Sequence, residues 1–392
     1  MQKRTVKDSK IVKRKKLKRI FHFDYTLVFC LFLIIGFGLI MIYSSSSYTA
    51  NVEYGDPSYF FNRQLIFVAI GLVLMVAGFM INYNALMRKH WYLLLVSILL
   101  LFMLIPFGRT VNGATRWIRL GFFNFQPAEL VKLAVIISVV AMIITAGRDI
   151  KNFKTRIIII LLIGVVPAAL VFVISSNLSS AIIIFLIVFM MMFIVSPNHK
   201  NYLIAIGVAA AIGIIAVIVI SNMPADSASF RFNRIAVWLH PEEYELTTGY
   251  QTVQSLYAIG SGGFLGKGLG KGLQKLGYIP ESQNDMIFAV ICEEVGIFGA
   301  IILLSIFALL LWRIYVIAMR APTKTDMLLC MAIFFHISIQ LLLNVAVVTN
   351  LLPNTGVTLP FISYGGSSMF FLLFEMGLVL NVSKKIDIEE KV

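Results

Sequence analysis

The chain is poor in charged side chains: only 13% of its 392 residues are charged, against 59% hydrophobic. A soluble protein of this length needs more polar surface than that. Cysteine and histidine are also scarce, with 3 and 5 copies, and their spacing fits neither a disulfide framework nor a zinc site. The composition therefore excludes a soluble globular protein, a disulfide-rich domain and a structural zinc domain.

Long apolar runs take the place of the missing charge, and the mean hydropathy is +0.90. A bilayer is crossed by about 20 apolar residues. Runs of this kind begin near ten positions: Tyr25, Gln64, His90, Ala128, Arg156, Leu178, Asn201, Asp285, Met327 and Thr358. We predict an all-α multi-pass membrane protein with ten transmembrane helices and a large extracellular loop, residues 221–284, between helices 7 and 8.

The distribution of lysine and arginine predicts the orientation, because these residues accumulate in cytoplasmic loops. With the N-terminus inside, 23 of the 33 basic residues fall in cytoplasmic segments. We therefore expect a basic cytoplasmic tail at residues 1–23, a single membrane domain at 24–383 and a second cytoplasmic tail at 384–392. The net charge of +14 is concentrated in the first tail, where anionic membrane lipids attract it, and no nucleic-acid partner is expected.

The run PESQNDMIFAVICEE, residues 280–294, brings acidic side chains to the start of an apolar helix. A charge inside a bilayer costs about 2.5 to 3.5 kcal/mol, so such groups usually face a cavity, a partner or a substrate. Asp285 is the first candidate for a functional residue. The preceding segment is dense in glycine and carries Lys267, Lys271 and Lys275, which is typical of a phosphate or pyrophosphate cradle. A flexible hinge without chemistry is the alternative.

A second group of polar residues surrounds the first predicted outside loop. This loop contains Arg116, and Glu129 and Lys132 follow it three residues apart on one helical face, where they can pair inside the bundle. The pair either satisfies only itself or orients Asp285 or the substrate. Later spans carry three further polar residues that interhelical hydrogen bonding explains at least as well as catalysis: Gln340, Asn344 and Glu375.

Four motifs occur in order along the chain: NGATRWI at 112–118 with QPAEL at 126–130, GYQ at 249–251 with Gln254-Ser255, the run at 280–294, and LPFISYGGSS at 359–368. Together they resemble the SEDS proteins of bacteria (shape, elongation, division and sporulation), over about residues 24–383. Two segments indicate the branch of the family: VNG at 111–113 and LPNTGVTLP at 352–360. Their sequences are more similar to the division branch, FtsW, or its sporulation relatives such as SpoVE than to the elongation branch, RodA.

The resemblance implies a peptidoglycan glycosyltransferase in the cytoplasmic (inner) membrane, polymerising lipid II on the outer face during cell division. A class B penicillin-binding transpeptidase is the implied partner, beside other division or elongation proteins. In this reaction a lipid II hydroxyl attacks the anomeric carbon of a polyprenyl-linked glycan, and polyprenyl pyrophosphate leaves. The chemistry needs a general base and a group that stabilises the diphosphate.

The resemblance also assigns roles. Asp285 matches the essential aspartate of the family and is the expected base. The substrate-binding candidates are Arg63, Arg116, Glu129, Lys132, Lys267, Lys271 and Lys275. No organic cofactor is expected. A divalent cation, Mg²⁺ or Mn²⁺, is a further candidate to share the leaving-group charge, although the sequence shows no dedicated ligand set.

The chain departs from the family at two places. It has SSNLSS at 175–180 where relatives have Gln-Pro-Asp-Leu-Gly-Thr, and Gln283-Asn284 before Asp285 where relatives have a histidine. The first departure removes a carboxylate and the second an imidazole. Two other functions stay open, a lipid II flippase that uses the buried charges as a headgroup path and a scaffold that recruits division proteins. A RodA-type elongation polymerase is the alternative within the family.

Overall fold

The computed structural model describes residues 24–111, 114–121, 123–221 and 230–386. The predicted N-terminal tail, Asn112-Gly113 of the first motif and residues 387–392 of the C-terminal tail lie outside these ranges. Fifteen α-helices occur in the described parts, connected by short 3-10 and π segments. They are α1 Tyr25–Tyr54, α2 Tyr59–Met80, α3 Tyr83–Arg88, α4 His90–Phe102, α5 Leu104–Phe107, α6 Pro127–Ala146, α7 Phe153–Ile159, α8 Val166–Ser175, α9 Leu178–Val195, α10 Lys200–Ser221, α11 Phe230–Leu239, α12 Tyr250–Gly262, α13 Ile287–Met319, α14 Lys324–Val348 and α15 Gly366–Ser383.

The helical membrane architecture is confirmed. Within the described ranges, 9 helices are long and apolar enough to cross a membrane. Helix α10 adds 22 residues at the place of the predicted seventh span, but only its stretch Lys200–Ile215 counts among the shorter apolar helices. The count of ten spans therefore stays a prediction.

The first and the last described residues, Asp24 and Ile386, lie at one end of the bundle, where they line the same cavity. Asp24 caps the start of α1 and accepts a hydrogen bond from Arg313 Nη2, near the end of α13, at 2.6 Å. At the same end Tyr83 hydrogen-bonds to Asp326, at the start of α14, and Lys385 lies 3.5 Å from the Asp326 carboxylate. The orientation with both termini on the cytoplasmic side stays a prediction.

A small antiparallel sheet, absent from the sequence prediction, forms in the first outside loop. Its strands are β1 Gly108–Val111, β2 Ala114–Leu120 and β3 Phe123–Phe125, in the order β1-β2-β3. Threonine, tryptophan and isoleucine favour a pleated strand, and Gly121, with φ of 60°, lies in the turn between β2 and β3. The sheet places Arg116 on a hydrogen-bonded strand rather than on a free loop.

The last membrane helix begins at Gly366, later than the Thr358 expected from hydropathy. Residues 353–365 are irregular because Pro353 and Pro360 lack the amide hydrogen that a helix needs, and Phe361 has a φ of 62°. Asn344 donates a hydrogen bond to the carbonyl of Val357 in this segment at 2.7 Å. Irregular backbone is therefore held against the bundle at the end opposite to the chain termini.

Candidate active site

Asp285 lies in the turn immediately before α13. Asn344 of α14 donates a hydrogen bond from Nδ2 to the main-chain oxygen of Asp285 at 2.9 Å. Asn344 is 18 residues beyond Asp326 on α14, which corresponds to about 27 Å at ~1.5 Å per residue. Asp285 is therefore at the end of the bundle opposite to Asp326, the end predicted to face outward, and the residue is half-buried.

The electrostatic surroundings suit Asp285 to proton transfer. Burial raises the pKa of the Asp285 carboxyl to about 6, and the Glu281 carboxylate contributes to the increase. Backbone amides and the Arg116 guanidinium oppose it, because each stabilises the ionised form. A base whose pKa lies near neutral pH is ionised in the cell and still accepts a proton readily.

Arg116 reaches the site from β2. Its Nη2 atom donates a hydrogen bond to the carbonyl of Ser176 at 2.9 Å, which fixes the guanidinium beside Asp285. Ser176 belongs to SSNLSS, the segment that lacks the usual carboxylate. Asn177 stands where relatives have the aspartate. It accepts a hydrogen bond from the amide of Ser180 at 3.0 Å and caps the start of α9. The side-chain oxygen that caps the helix is therefore retained, but the negative charge is not.

Glu129 and Lys132 form the predicted ion pair, with Lys132 Nζ 2.9 Å from Glu129 Oε1 and both side chains buried. Lys132 also donates to Gln340 Oε1 at 3.2 Å, and Gln340 donates to the carbonyl of Thr358 at 3.2 Å. Gln340 is one helical turn before Asn344, the residue that holds Asp285. The pair is therefore connected to the Asp285 loop through α14 and does not contact Asp285 itself in these hydrogen bonds.

The glycine- and lysine-rich segment binds carboxylates of the protein itself. Glu293 Oε1 accepts hydrogen bonds from Lys267 Nζ at 2.7 Å and from the amide of Leu273 at 2.9 Å. The amide of Gln274 adds a third donor, 3.2 Å from Oε2 of the same carboxylate. In this structure the loop binds the carboxylate of Glu293, and a phosphate or pyrophosphate ligand for it stays a prediction.

Glu294 occupies a second, deeper position in the same segment. Lys275 Nζ lies 2.6 Å from Glu294 Oε1 with both side chains buried. Ser44 of α1 donates to Glu294 Oε2 at 2.8 Å, and the amide of Gly270 donates to the same oxygen at 3.0 Å. Lys267 and Lys275 therefore have protein carboxylates as partners, whereas Lys271 is exposed.

A break in α13 lets the loop approach. Gly296 has φ of 70° and ψ of −176°, which interrupts the helix, and a Cβ atom there would lie 2.4 Å from the amide nitrogen of Gly266. Only glycine permits both features. The amide of Ile297, just after the break, donates to the carbonyl of Gly263 at 3.0 Å. The glycine- and lysine-rich loop, which precedes Asp285 in the chain, thus holds the half of α13 that follows Asp285.

Arg63, on α2, lies beside tyrosine rings. Its guanidinium carbon is 4.5 Å from the ring centroid of Tyr59, and Tyr59 stacks on Tyr54 at 3.8 Å. Arg63 is also close to the side chain of Tyr364, whose amide donates to the carbonyl of Gln283 at 2.9 Å. Arg63 is therefore next to the Asp285 loop.

A further buried pair, which the sequence did not predict, joins α14 and α15. His336 Nδ1 lies 2.8 Å from Glu375 Oε2, with both side chains buried between α14 and α15. Within the described ranges no group of three or more His, Cys, Asp or Glu side chains could hold a metal ion. The requirement for a divalent cation stays a prediction.

Comparison with known proteins identifies the family and the fold. The family model of the FtsW/RodA/SpoVE cell cycle proteins matches residues 25–387. The chain belongs to this family. The family shares with this chain the multi-pass helical architecture, and it places the protein in the cytoplasmic membrane of a bacterium.

Two curated FtsW/RodA/SpoVE relatives are similar over nearly their whole length. Stage V sporulation protein E of Bacillus subtilis is 37% identical over 367 residues, covering 92% of this chain and 97% of the relative. A probable peptidoglycan glycosyltransferase FtsW of Trichlorobacter lovleyi is 36% identical over 371 residues, covering 94% and 95%. A chain from a solved peptidoglycan synthase complex superposes with a TM-score of 0.75 at 26% identity, covering 94% of this chain and 99% of its own.

Proposed function

We propose that this protein is a peptidoglycan glycosyltransferase that polymerises lipid II at the outer face of the cytoplasmic membrane, with Asp285 as the general base. The observation that carries the proposal is the half-buried Asp285 at the end of the bundle opposite to Asp326, where burial raises the pKa of its carboxyl to about 6 and the Arg116 guanidinium is nearby. Names of relatives support the activity: one is a probable peptidoglycan glycosyltransferase and another belongs to sporulation.

The reaction balances with the residues present. The acceptor sugar hydroxyl forms a bond to the anomeric carbon of the polyprenyl-linked glycan and gives its proton to Asp285. The bond from that carbon to the diphosphate oxygen breaks, and the diphosphate leaves with the electron pair. Arg116 stabilises the developing negative charge, because a fixed guanidinium presents several donors to phosphate oxygens.

The other proposed substrate contacts differ in strength of support. Arg63 is adjacent to the Asp285 loop and is proposed to bind the substrate. Glu129 and Lys132 do not contact the Asp285 loop directly. They are connected to it through Gln340 of α14, which accepts a hydrogen bond from Lys132. Lys267 and Lys275 are each compensated by a carboxylate at 2.7 and 2.6 Å, so the proposal does not use them for the leaving group. Lys271 is exposed, and it keeps its proposed role of neutralising charge on the leaving diphosphate.

A penicillin-binding transpeptidase of class B is the proposed partner. The structural neighbour comes from a complex described for the coordination of polymerization and crosslinking, which supports a pairing of the two activities. Other division or elongation proteins are proposed as further members of such an assembly. The relatives named FtsW and the sporulation relative favour division or sporulation over elongation.

A flippase is disfavoured by the pairing of the buried charges. Glu129 pairs with Lys132, Glu293 with Lys267, and Glu375 with His336. A headgroup path would need charges that are available to the passing lipid, whereas each of these carboxylates already has a partner inside the protein.

The experiment that tests the proposal uses purified protein with its transpeptidase and labelled lipid II in detergent. Only a polymerase forms glycan strands there. Asp285→Asn removes the base at constant volume and should abolish polymer while the protein melts and binds its partner as before. Asp56→Asn, at an exposed turn between α1 and α2, is the matched control and should polymerise normally. Undiminished strands from Asp285→Asn would refute the assignment.

A further inference from the structure

A glycine at the floor of the site leaves an open position between the two charged groups. A Cβ atom at Gly356 would lie 3.5 Å from Asp285 Oδ2 and 3.8 Å from Arg116 Nη1. All three residues are partly exposed. The position is thus within contact distance of the base and of the guanidinium, and solvent reaches the residues around it.

We propose that this position above Gly356 is occupied by the reacting hydroxyl group of the acceptor saccharide, and that Gly356 keeps it free. The inference rests on the proposed polymerase function. A general base must come within about 2.6 to 3.2 Å of the hydroxyl oxygen that it deprotonates. A hydroxyl oxygen this close to Asp285 Oδ2 that also faces Arg116 would lie near the Cβ position of residue 356. A side chain at residue 356 would therefore fill the same volume.

The segment around Gly356 has little freedom to retreat. The amide of Gly356 donates to Asn354 Oδ1 at 3.1 Å, and Asn354 Nδ2 donates to Gln251 of α12 at 3.1 Å. Ser179 of α9 hydrogen-bonds to the carbonyl of Thr355, and Asn344 of α14 holds that of Val357. Three helices therefore fix the floor, so an added side chain would remain in the position proposed for the hydroxyl group.

Backbone strain is a competing explanation for any loss, because Gly356 has a φ of 68°. Two substitutions at Gly356 distinguish backbone strain from occupation of the hydroxyl position by a side chain. Alanine at positive φ is strained and adds one carbon, whereas asparagine adopts this conformation more readily and adds a larger side chain. Gly55 has a φ of 71° and no atom within 4 Å of its Cβ position, so Gly55→Ala is a control with a similar positive φ and open space.

The test measures polymer formation from lipid II, with the transpeptidase present, beside the melting temperature of each variant. Gly356→Asn and Gly356→Ala should each lose about 100-fold or more in polymerisation rate, since a displacement of about 1 Å at a reacting centre costs that much. Gly55→Ala should retain its rate, and Gly356→Asn should melt like the unsubstituted protein because the atoms nearest to its Cβ lie at ordinary van der Waals distances, 3.5 and 3.8 Å.

Three results would overturn the inference: an active Gly356→Asn, a Gly356→Asn protein that melts at a lower temperature, or a loss in Gly55→Ala equal to that in Gly356→Ala. Failure of the proposed function itself looks different. In that case the unsubstituted protein, tested in parallel, makes no glycan strands.

Discussion

Replacing Lys275 with methionine should destabilise the outer end of the bundle. Lys275 Nζ is 2.6 Å from Glu294 Oε1, and the two side chains are 5% and 0% exposed. Removing one partner of a buried ion pair costs about 3 to 5 kcal/mol, because the other charge is left without compensation. Glu294 retains the Ser44 hydroxyl and the Gly270 amide as donors, so we expect a cost near the lower end, about 3 kcal/mol.

A loss of this size is measurable, since folded proteins are stable by only about 5 to 15 kcal/mol. The apparent melting temperature in detergent should fall by about 5 °C or more. Lys267→Met should have a smaller effect, because Lys267 is 29% exposed and Glu293 keeps the amides of Leu273 and Gln274 as donors. Lys271→Met, at an exposed position, should leave the melting temperature unchanged.

The double variant Lys275→Met with Glu294→Gln provides the decisive comparison. Removal of both charges abolishes the uncompensated carboxylate, and the Gln oxygen can still accept from Ser44 and Gly270. The double variant should therefore melt above Lys275→Met alone. Polymerisation should recover with stability, because Asp285 precedes the half-helix that carries Glu294.

A substrate cradle predicts the opposite pattern. If the lysines bound the diphosphate directly, all three methionine variants would melt normally, lose polymerisation to a similar degree and require more lipid II for half-maximal rate. The double variant would then be no better than Lys275→Met. That result would refute the structural role of the Lys275–Glu294 pair.

Two further predictions concern the base. Polymerisation rate should rise with pH through about 6, because the ionised Asp285 is the active form. This rise should move to higher pH in Arg116→Met, which removes a stabilising cation, and to lower pH in Glu281→Gln, which removes a repelling anion, by up to about one unit each. A pH dependence that is unchanged in both variants would contradict the proposed effect of Arg116 and Glu281 on the pKa of Asp285. Asn344→Leu, which releases the carbonyl of Asp285, should lower the rate more than it raises the lipid II requirement, as steady-state kinetics would show.

The sequence predicts the membrane helices well because their signal is local. A run of about 20 apolar residues must cross the bilayer regardless of what it packs against, and helices begin at Tyr25, His90 and Leu178 as expected. The strand β2 is different. Its residues have no apolar run, and its pairing with β1 and β3 depends on neighbours that only the folded loop brings together.

Spacing within one helix also predicts partners. Glu129 and Lys132 are three residues apart and pair as expected. The contacts that place Asp285 join distant parts of the chain, as in the bond from Asn344 to its carbonyl, 59 positions away. Periodicity shows that Asn344 is polar in an apolar helix, but it contains no information about which loop will reach that side chain.

The glycine- and lysine-rich loop shows a limit of composition as a guide to ligands. Amides freed by glycine and ammonium groups of lysine recognise an oxyanion by charge and geometry, and a carboxylate of the same chain satisfies both as a diphosphate would. The sequence predicts a phosphate or pyrophosphate cradle, and composition alone cannot distinguish such a substrate from Glu293 or Glu294. Glu293 and Glu294 follow Asp285 on the first half of α13. When the loop binds these two carboxylates, it therefore also holds Asp285 in position. If the loop bound substrate in their place, this support of Asp285 would be lost.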